Sequence, residues 1–191
     1  MKKSLGARTL LYPTPVLVVG TYDTERRPNL MAAAWGGICC SKPPCVAVAV
    51  RKNRHTFGGL IAHEAFTVSV TPASLAAEAD FTGMASGAKV EKFAAAGLTP
   101  TAGEFVDAPY PEEFPFVLEC ALRHTIELGV HTQFVGEIMD VKAEESVLDE
   151  KGTVDLVRLE PIMYDPGRAG YWRTGEYLAD AYSLGKRFMT D

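Results

Sequence analysis

The first half of the chain carries short apolar runs separated by turn residues, a pattern typical of β-strands. Residues 16–22 and 45–50 are predicted to form two such strands. Between them lie a charged turn at residues 23–28 and a long segment of small apolar residues, 29–40. Residues 41–44 end that segment, because two successive prolines lack the N–H groups that a central strand needs. Strands joined by such short turns indicate an antiparallel meander.

The middle of the chain mixes helical and strand patterns. Three segments have helical character: residues 55–64, 72–81 and 90–96. Thr71 is the predicted N-cap of the second helix, with Pro72 at its first position, and Gly97 is predicted to end the third. Residues 66–70 are predicted to be a strand, and residues 105–114, which contain two prolines and precede a third, a loop.

The last third of the chain predicts two long strands, Phe116–Leu128 and His131–Ala143, with a bend near Gly129. A last short strand is predicted over residues 154–159, and the tail from Asp165 is rich in glycine and aromatic residues. The strands do not alternate regularly with helices, and no Gly-x-Gly-x-x-Gly occurs, so a doubly wound nucleotide-binding sheet is not expected. We expect a mainly β fold, a β-barrel with a few helices, in one domain of 191 residues.

Composition and charge narrow the choice of partners. The chain has 19 Lys and Arg against 24 Asp and Glu, a formal net charge of −5. It lacks the basic face or basic amphipathic helix of nucleic-acid and membrane-surface binders, so we expect neither partner. The N-terminus has no continuous apolar core of a signal peptide, and the longest nearly apolar run, residues 30–40, is too short to span a bilayer. A cytoplasmic protein is therefore expected.

Cysteine and histidine spacing gives no metal motif. The four cysteines are Cys39, Cys40, Cys45 and Cys120, and none of them forms a Cys-x-x-Cys pair. The histidines lack metal-binding spacing, so we expect no metal site, and the cysteines are expected to be buried thiols in a reducing cytosol. No Gly-x-Ser-x-Gly turn is present to position a serine nucleophile.

The densest group of polar residues is Arg-Lys-Asn-Arg-His-Thr at positions 51–56, between a predicted strand and a predicted helix. The free N–H groups and positive dipole end of a helix N-terminus suit a phosphate, and arginine adds planar donors. The candidate binding residues in this segment are Arg51, Asn53, Arg54, His55 and Thr56. The alternative is a solvated turn that happens to be basic.

A second candidate segment is Asn-Leu-Met-Ala-Ala-Ala-Trp-Gly-Gly at positions 29–37. Alanine and glycine are poor strand formers and leave little side-chain packing. Such a sequence suits a strand whose backbone a flat ligand approaches closely, at Ala33 and Ala34, with Trp35 at the ligand's edge. Close packing against a helix is the alternative explanation.

These segments together resemble the flavin reductase-like, FMN-binding split-barrel family, and most closely its flavoredoxins. The matching segments, in order along nearly the whole chain, are residues 12–16, 29–35, 42–44, 51–56, 89–93, 97–98, 131–138 and 161–164, with Gly175 and Gly185. The resemblance implies an FMN-binding split β-barrel of Greek-key type. It also implies a homodimer with the flavin near the subunit interface, and a C-terminal tail, from about residue 165, that reaches across to the partner subunit. A tail that covers its own barrel is the alternative.

The family pattern implies an FMN site with the phosphate on residues 51–56. The site residues that it implies are Asn29, Trp35, Thr56, Lys92, His131 and Tyr164. Position 164 is commonly Phe in flavoredoxin-like sequences, so Tyr164 keeps an aromatic wall but adds a hydroxyl. Thr56 and His131 are the predicted catalytic residues: Thr56 would reach the ring near N5, and His131 would act with Lys92 near the part of the ring that becomes negative on reduction.

Four functions remain open at this point. The leading hypothesis is electron transfer by bound FMN between redox donor and acceptor proteins. An NAD(P)H-dependent flavin reductase that releases reduced flavin is the first alternative, and a non-redox ligand-binding barrel that has lost the cofactor is the second. The third is thiol redox chemistry by Cys40 and Cys45, on either side of the Pro-Pro turn.

Overall fold

A computed structural model describes residues 1–189 of the chain. The strands in this part are β1 Thr14–Pro15, β2 Leu17–Tyr22, β3 Pro28–Ala33, β4 Gly36–Ser41, β5 Pro44–Arg51, β6 Ala65–Val70, β7 Pro100–Ala102, β8 Pro109–Pro111, β9 Phe116–Leu128, β10 His131–Ala143, β11 Ile162–Asp165 and β12 Gly170–Arg173. The α-helices are α1 His55–His63, α2 Ala76–Met84, α3 Lys92–Ala96 and α4 Leu156–Leu159. Short 3-10 helices span Ala73–Leu75, Glu145–Val147 and Leu184–Phe188.

Seven strands form one antiparallel sheet in the order β3-β2-β6-β9-β10-β5-β4. The two edge strands, β3 and β4, are consecutive in the chain, and a bend at Ala34 and Trp35 joins them. The backbone N–H of Ala49 on β5 donates to the carbonyl of Trp35 at 2.8 Å, which continues the β4–β5 pairing into the bend. The sheet therefore curls without closing, which confirms the mainly β, split-barrel prediction. The predicted meander is wrong in part, because β3 and β4 do not pair with each other.

Both faces of the central strands are buried. Along β2, Leu17 and Val19 face the barrel interior with Phe66 and Phe134. The alternate residues Val16 and Val18 face a second core, which α2, α3 and β11 cover. A strand with two buried faces reads as a continuous apolar run, which is why residues 16–22 show little alternation.

Several local predictions are confirmed and others are wrong. The two long strands begin and end where they were predicted, and Gly97 ends α3 in the left-handed conformation, with φ of 67°. The predicted strand over residues 154–159 is instead mostly helix α4, because the Asp155 side chain accepts a hydrogen bond from the Val157 N–H and caps it. Thr71 caps no helix, and its Oγ1 is buried without a hydrogen-bond partner.

The predicted loop at residues 105–114 contains β8, which pairs with β7 to form a separate two-stranded sheet. The remaining small sheet, in the order β1-β11-β12, lies beside the second core. It brings residues from both ends of the chain to the same side of the barrel as α2.

Candidate functional site

A cavity of about 320 Å³ lies between the end of β3, α2 and the small β1-β11-β12 sheet. Its volume falls at the low end of the range of about 300–1,000 Å³ typical of small-molecule sites. The residues that line it are Val16, Ala32, Ala33, Ala34, Trp35, Asp80, Gly83, Met84, Tyr164 and Tyr171. Four residues of the predicted site, Ala33, Ala34, Trp35 and Tyr164, therefore meet in one largely apolar cavity.

A second, smaller cavity of about 40 Å³ adjoins the first, and Gly83 lines both. Its other lining residues are Met31, Asn53, Arg54, His55, Thr56, Ala85, Ser86, Gly87 and Lys92. Five more residues of the predicted site meet here: Asn53, Arg54, His55, Thr56 and Lys92. We refer to the two adjoining cavities together as the groove, with the larger cavity as its apolar end and the smaller one as its cationic end.

Small residues on α2 and after it shape the groove. A Cβ atom on Gly83 would lie 3.1 Å from the Cβ of Ala32, so the helix packs directly on β3 at this point. Close packing against a helix therefore accounts for Ala32, while Ala33 and Ala34 line the larger cavity, where the approach of a flat ligand stays a prediction. Sequence reasoning missed the contribution of residues 83–87, although Gly-Met-Ala-Ser-Gly is a run of small residues that signals close approach.

Two cations stand at the cationic end without a carboxylate partner. Lys92 is 4% exposed, and its Nζ donates to the backbone carbonyls of Leu30 and Thr82, both at 2.7 Å. Burial and the nearby charge of Arg54 lower the pKa of Lys92 to about 8. Within residues 1–189, neither Lys92 nor Arg54 forms a salt bridge. A bound anion would supply the missing counter-charge.

Helix α1 begins at this end of the groove. Its N-cap residue, Arg54, makes no side-chain capping bond, and its first turn holds no acidic residue. The Phe57 N–H donates to the Arg54 carbonyl at 3.0 Å, while the N–H groups of His55 and Thr56 have no intrahelical acceptors. The positive dipole end adds to the charge of the two cations. The helix N-terminus is therefore free to bind an anion, as the sequence predicts for residues 51–56.

His55 is held in place by the buried carboxylate of Asp23. His55 Nε2 lies 3.2 Å from Asp23 Oδ2, and the same carboxylate accepts bonds from the backbone of Glu25 and Arg27 and from the Arg27 side chain. Burial alone would raise the pKa of Asp23, but these hydrogen bonds outweigh it and lower the pKa to about 2. Asp23 thus stays ionised and fixes the orientation of the His55 ring.

Asn29 lies behind Thr56. Asn29 Nδ2 donates to Thr56 Oγ1 at 2.8 Å, and both residues are buried. A Cβ atom on Gly87 would lie 2.2 Å from Asn29 Oδ1 and 2.5 Å from His55 Cδ2. Only glycine fits at position 87 without displacing these two side chains, so the wall of the smaller cavity is closely packed.

Two tyrosines form the aromatic wall of the larger cavity. The ring centroids of Tyr164 and Tyr171, on paired strands β11 and β12, are 6.0 Å apart. The Tyr171 hydroxyl donates to Asp80 Oδ1 at 2.6 Å, which connects β12 to α2. Burial and the Asp80 carboxylate raise the pKa of Tyr171, so its hydroxyl remains a hydrogen-bond donor.

Three residues of the predicted site line neither cavity: Asn29, which lies behind Thr56, Arg51 and His131. Arg51, at the end of β5, is exposed, and His131 is its register partner at the start of β10. Both lie at the end of the barrel where α1 begins, but in the described part of the chain they stand outside the groove.

Comparison with known proteins identifies the family of the chain. Residues 8–173 match the flavin reductase like domain. The chain belongs to this family. It is 52% identical to flavoredoxin of Desulfovibrio vulgaris (Miyazaki F), whose structure superimposes with a TM-score of 0.93 over 97% of this chain and 100% of that one. Flavoredoxin from Methanosarcina acetivorans is 30% identical, with a TM-score of 0.92 over 99% of this chain and 100% of that one.

A third structure, FMN-binding protein from Thermus thermophilus, is 27% identical, with a TM-score of 0.78 over 94% of this chain and 97% of that one. Membership of the family establishes a flavin as the class of cofactor. It also implies redox proteins or nicotinamide nucleotides as the class of partner. The residues of the groove fit a flavin, since an apolar end suits the ring system and an uncompensated cationic end suits phosphate.

Two further observations concern the described residues, 1–189. No helix among them combines the length and the apolar character needed to cross a membrane. No three or more of their His, Cys, Asp and Glu side chains are grouped so as to hold a metal ion.

Proposed function

We propose that this chain is an FMN-binding electron carrier of the flavoredoxin type. The observation that carries the proposal is the continuous groove, with aromatic and alanine walls at one end and Arg54, Lys92 and the start of α1 at the other. Bound flavin would supply the redox chemistry, and the protein supplies binding, orientation and electrostatics.

The phosphate would bind at the cationic end. Arg54 can donate two parallel hydrogen bonds to phosphate oxygens, the first-turn N–H groups of α1 can donate others, and the Lys92 ammonium adds a third kind of donor. Phosphate is the part of FMN that riboflavin lacks. The cationic end thus favours FMN over riboflavin, while the apolar end treats the two alike.

The ring system would lie in the larger cavity, between the alanine backbone of β3 and the aromatic side chains. Tyr164 is on the wall, with Trp35 at the bend between β3 and β4. Because the Thr56 hydroxyl accepts from Asn29, its own proton points away from Asn29 and is available to the ligand. We propose that Thr56, which lines the smaller cavity, donates a hydrogen bond to the flavin where it extends from the larger cavity into the smaller one. His131 lies outside the groove and is assigned no contact with the ring in this placement.

An electron carrier is favoured over an NAD(P)H-dependent reductase because the 52% identical neighbour is a flavoredoxin. The two activities are separated by steady-state oxidation of NADH and NADPH by the FMN-loaded protein. A carrier gives little turnover with either nucleotide and is reduced by a low-potential redox protein. Rapid nucleotide oxidation with release of reduced flavin would instead establish the reductase.

A cytoplasmic homodimer of single-domain subunits completes the proposal, with the tail on the partner subunit. Side chains of the tail supply the support, since Tyr177, Leu178, Tyr182 and Phe188 are 73%, 87%, 95% and 77% exposed. Apolar side chains so exposed do not cover their own barrel. A second subunit would bury them.

The binding proposal is tested by titrating the apoprotein with FMN and, separately, with riboflavin. Arg54→Ala is expected to weaken FMN binding about tenfold to a hundredfold, the effect of losing charge-assisted hydrogen bonds. Riboflavin binding should not change. Arg8→Ala is the matched control, because Arg8 is an exposed arginine outside the groove. Equal losses for FMN and riboflavin in Arg54→Ala would contradict the placement of the phosphate, and no binding of either flavin would contradict the function.

A further inference from the structure

The hairpin of β4 and β5 holds three of the four cysteines at the edge of the main sheet. Cys40 and Cys45 are directly opposite each other in the register, one pair outward from Ser41 and Pro44. Residues directly opposite each other in an antiparallel pair have Cα atoms about 4.5–5.5 Å apart, whether or not the pair is hydrogen-bonded. This distance is within the span of about 4.4–6.8 Å that a disulfide bridges.

The two thiols also point toward the same turn. Cys40 Sγ donates to the carbonyl of Lys42 and Cys45 Sγ to the carbonyl of Pro43, each at 3.5 Å. The two residues differ in accessibility, since Cys40 is exposed and Cys45 is 6% exposed. An attacking reagent therefore meets Cys40 first, with Cys45 behind it.

From this geometry we propose that Cys40 and Cys45 form a reversible dithiol–disulfide pair that exchanges with low-molecular-weight disulfides. The Cys40 thiolate attacks the reagent disulfide, forms a mixed disulfide and releases one thiol. The Cys45 thiolate then attacks the Cys40 sulfur, closes the Cys40–Cys45 bond and releases the second thiol. The two cysteines lose two electrons and two protons, and the reagent disulfide gains them as two thiols.

Electrostatics fit this order of events. Burial, together with the neighbouring sulfurs of Cys40 and Cys39 and the Glu137 carboxylate, raises the pKa of the Cys45 thiol. Cys45 therefore remains protonated and unreactive toward solvent reagents until a mixed disulfide forms beside it. Cys120 takes no part, because it lies in the barrel core and burial raises its pKa.

The test uses the full-length purified chain, reduced and then incubated with oxidised glutathione. Thiols are counted by alkylation under denaturing conditions and mass spectrometry. The wild type and Cys39→Ser are expected to lose two alkylatable thiols each and to become two hydrogen masses lighter than the reduced protein. In Cys40→Ser no internal bond should form, and Cys45→Ser should retain glutathione on Cys40. A reductant should restore all thiols in every case.

Three results would overturn the proposal. One is a full count of alkylated thiols in the oxidised wild type. Another is a glutathione adduct that persists in the wild type as it does in Cys45→Ser. The third is a covalent dimer on a non-reducing gel in place of the internal bond. Because the exchange needs no flavin, it is tested with and without bound FMN, and its outcome is independent of the proposed function.

Discussion

At the scale of single residues, Lys92 makes the cationic end of the groove sensitive to pH. Burial lowers its pKa to about 8, so the side chain loses its proton as the pH rises through this value in the unliganded protein. A phosphate stabilises the charged form, and binding therefore takes up a proton above pH 8. We expect FMN affinity to fall above pH 8, by at most about tenfold per pH unit for one linked proton.

The measurement is an FMN titration at several pH values between 7 and 9.5, with riboflavin as the reference ligand. Lys92→Met should bind FMN more weakly throughout and without the break near pH 8, while riboflavin should show no break in either protein. A break that persists in Lys92→Met would assign the titration to another group.

Gly87 is the residue at which added volume has the clearest effect. Its replacement by alanine places a Cβ within 2.2 Å of Asn29 Oδ1, so Asn29 must move and its bond to Thr56 breaks. Gly87→Ala is expected to weaken FMN binding by about tenfold, the value of one lost buried hydrogen bond. Gly37→Ala is the control, because no atom lies within 4 Å of a Cβ at that position. Equal effects of the two substitutions on FMN affinity would show that the close packing around position 87 does not influence FMN binding.

At the scale of secondary structure, one hydrogen bond couples β12 to α2 across the larger cavity. Tyr171→Phe removes the hydroxyl that donates to Asp80 at 2.6 Å and leaves the ring in place. We expect FMN to dissociate several-fold faster, because this wall of the groove loses its link to the helix. Tyr177→Phe is the matched control, since its hydroxyl donates to Asp180 within the tail at 2.5 Å. Stopped-flow fluorescence measures both, and equal rates in the two variants would contradict a role for the link.

The elements that the sequence predicts well are those whose pattern is local. Phe116–Leu128 and His131–Ala143 are long runs with a glycine bend between them, and α3 ends at Gly97 as predicted. The strand predicted over residues 154–159 is wrong, because the Asp155 side chain caps a helix there. Strand pairing is not local, because nothing in the sequence of residues 29–40 indicates that β3 and β4 lie at opposite edges of the sheet.

The groove also combines features that a local sequence pattern predicts with features that it does not predict. The basic segment after β5 and the alanine-rich β3 are evident as sequence motifs, and the structure places them side by side. The contribution of α2 was missed because Asp80 has no motif of its own, and because the glycines at positions 83 and 87 signal a close approach without showing what approaches. The position of His131 outside the groove likewise depends on the barrel's closure, which a linear pattern does not encode.

At the scale of the whole molecule, the outer part of the β9–β10 hairpin predicts self-association. Residues 123–130, the end of β9 and the turn before β10, are exposed, and Ile126, Leu128 and Val130 are 45%, 55% and 68% exposed. We expect a dimer in sedimentation velocity experiments at micromolar concentration. A double substitution, Ile126→Glu with Leu128→Glu, should shift the protein toward monomer, because it places four charges in a symmetric interface. Lys151→Glu, in an exposed turn away from the hairpin, should not.

If the wild-type chain sediments as a monomer, the subunit arrangement proposed above is wrong. The proposal that the chain binds a flavin is not affected by that result. If the hairpin variant remains a dimer, the interface lies elsewhere on the molecule. Measuring FMN affinity on the same samples shows whether the groove depends on a second subunit.

The bend at Ala34 and Trp35 connects the two outermost strands of the sheet, and the N–H of Ala49 on β5 donates to the carbonyl of Trp35, which fixes the bend to the β4 side of the opening. A ligand bound at that bend would fill part of the gap between the two outermost strands. Loss of the ligand would loosen both edge strands. Amide hydrogens on β3 and β4 should therefore exchange with solvent faster in the apoprotein, and to a similar degree, although the two strands lie at opposite edges of the seven-stranded sheet.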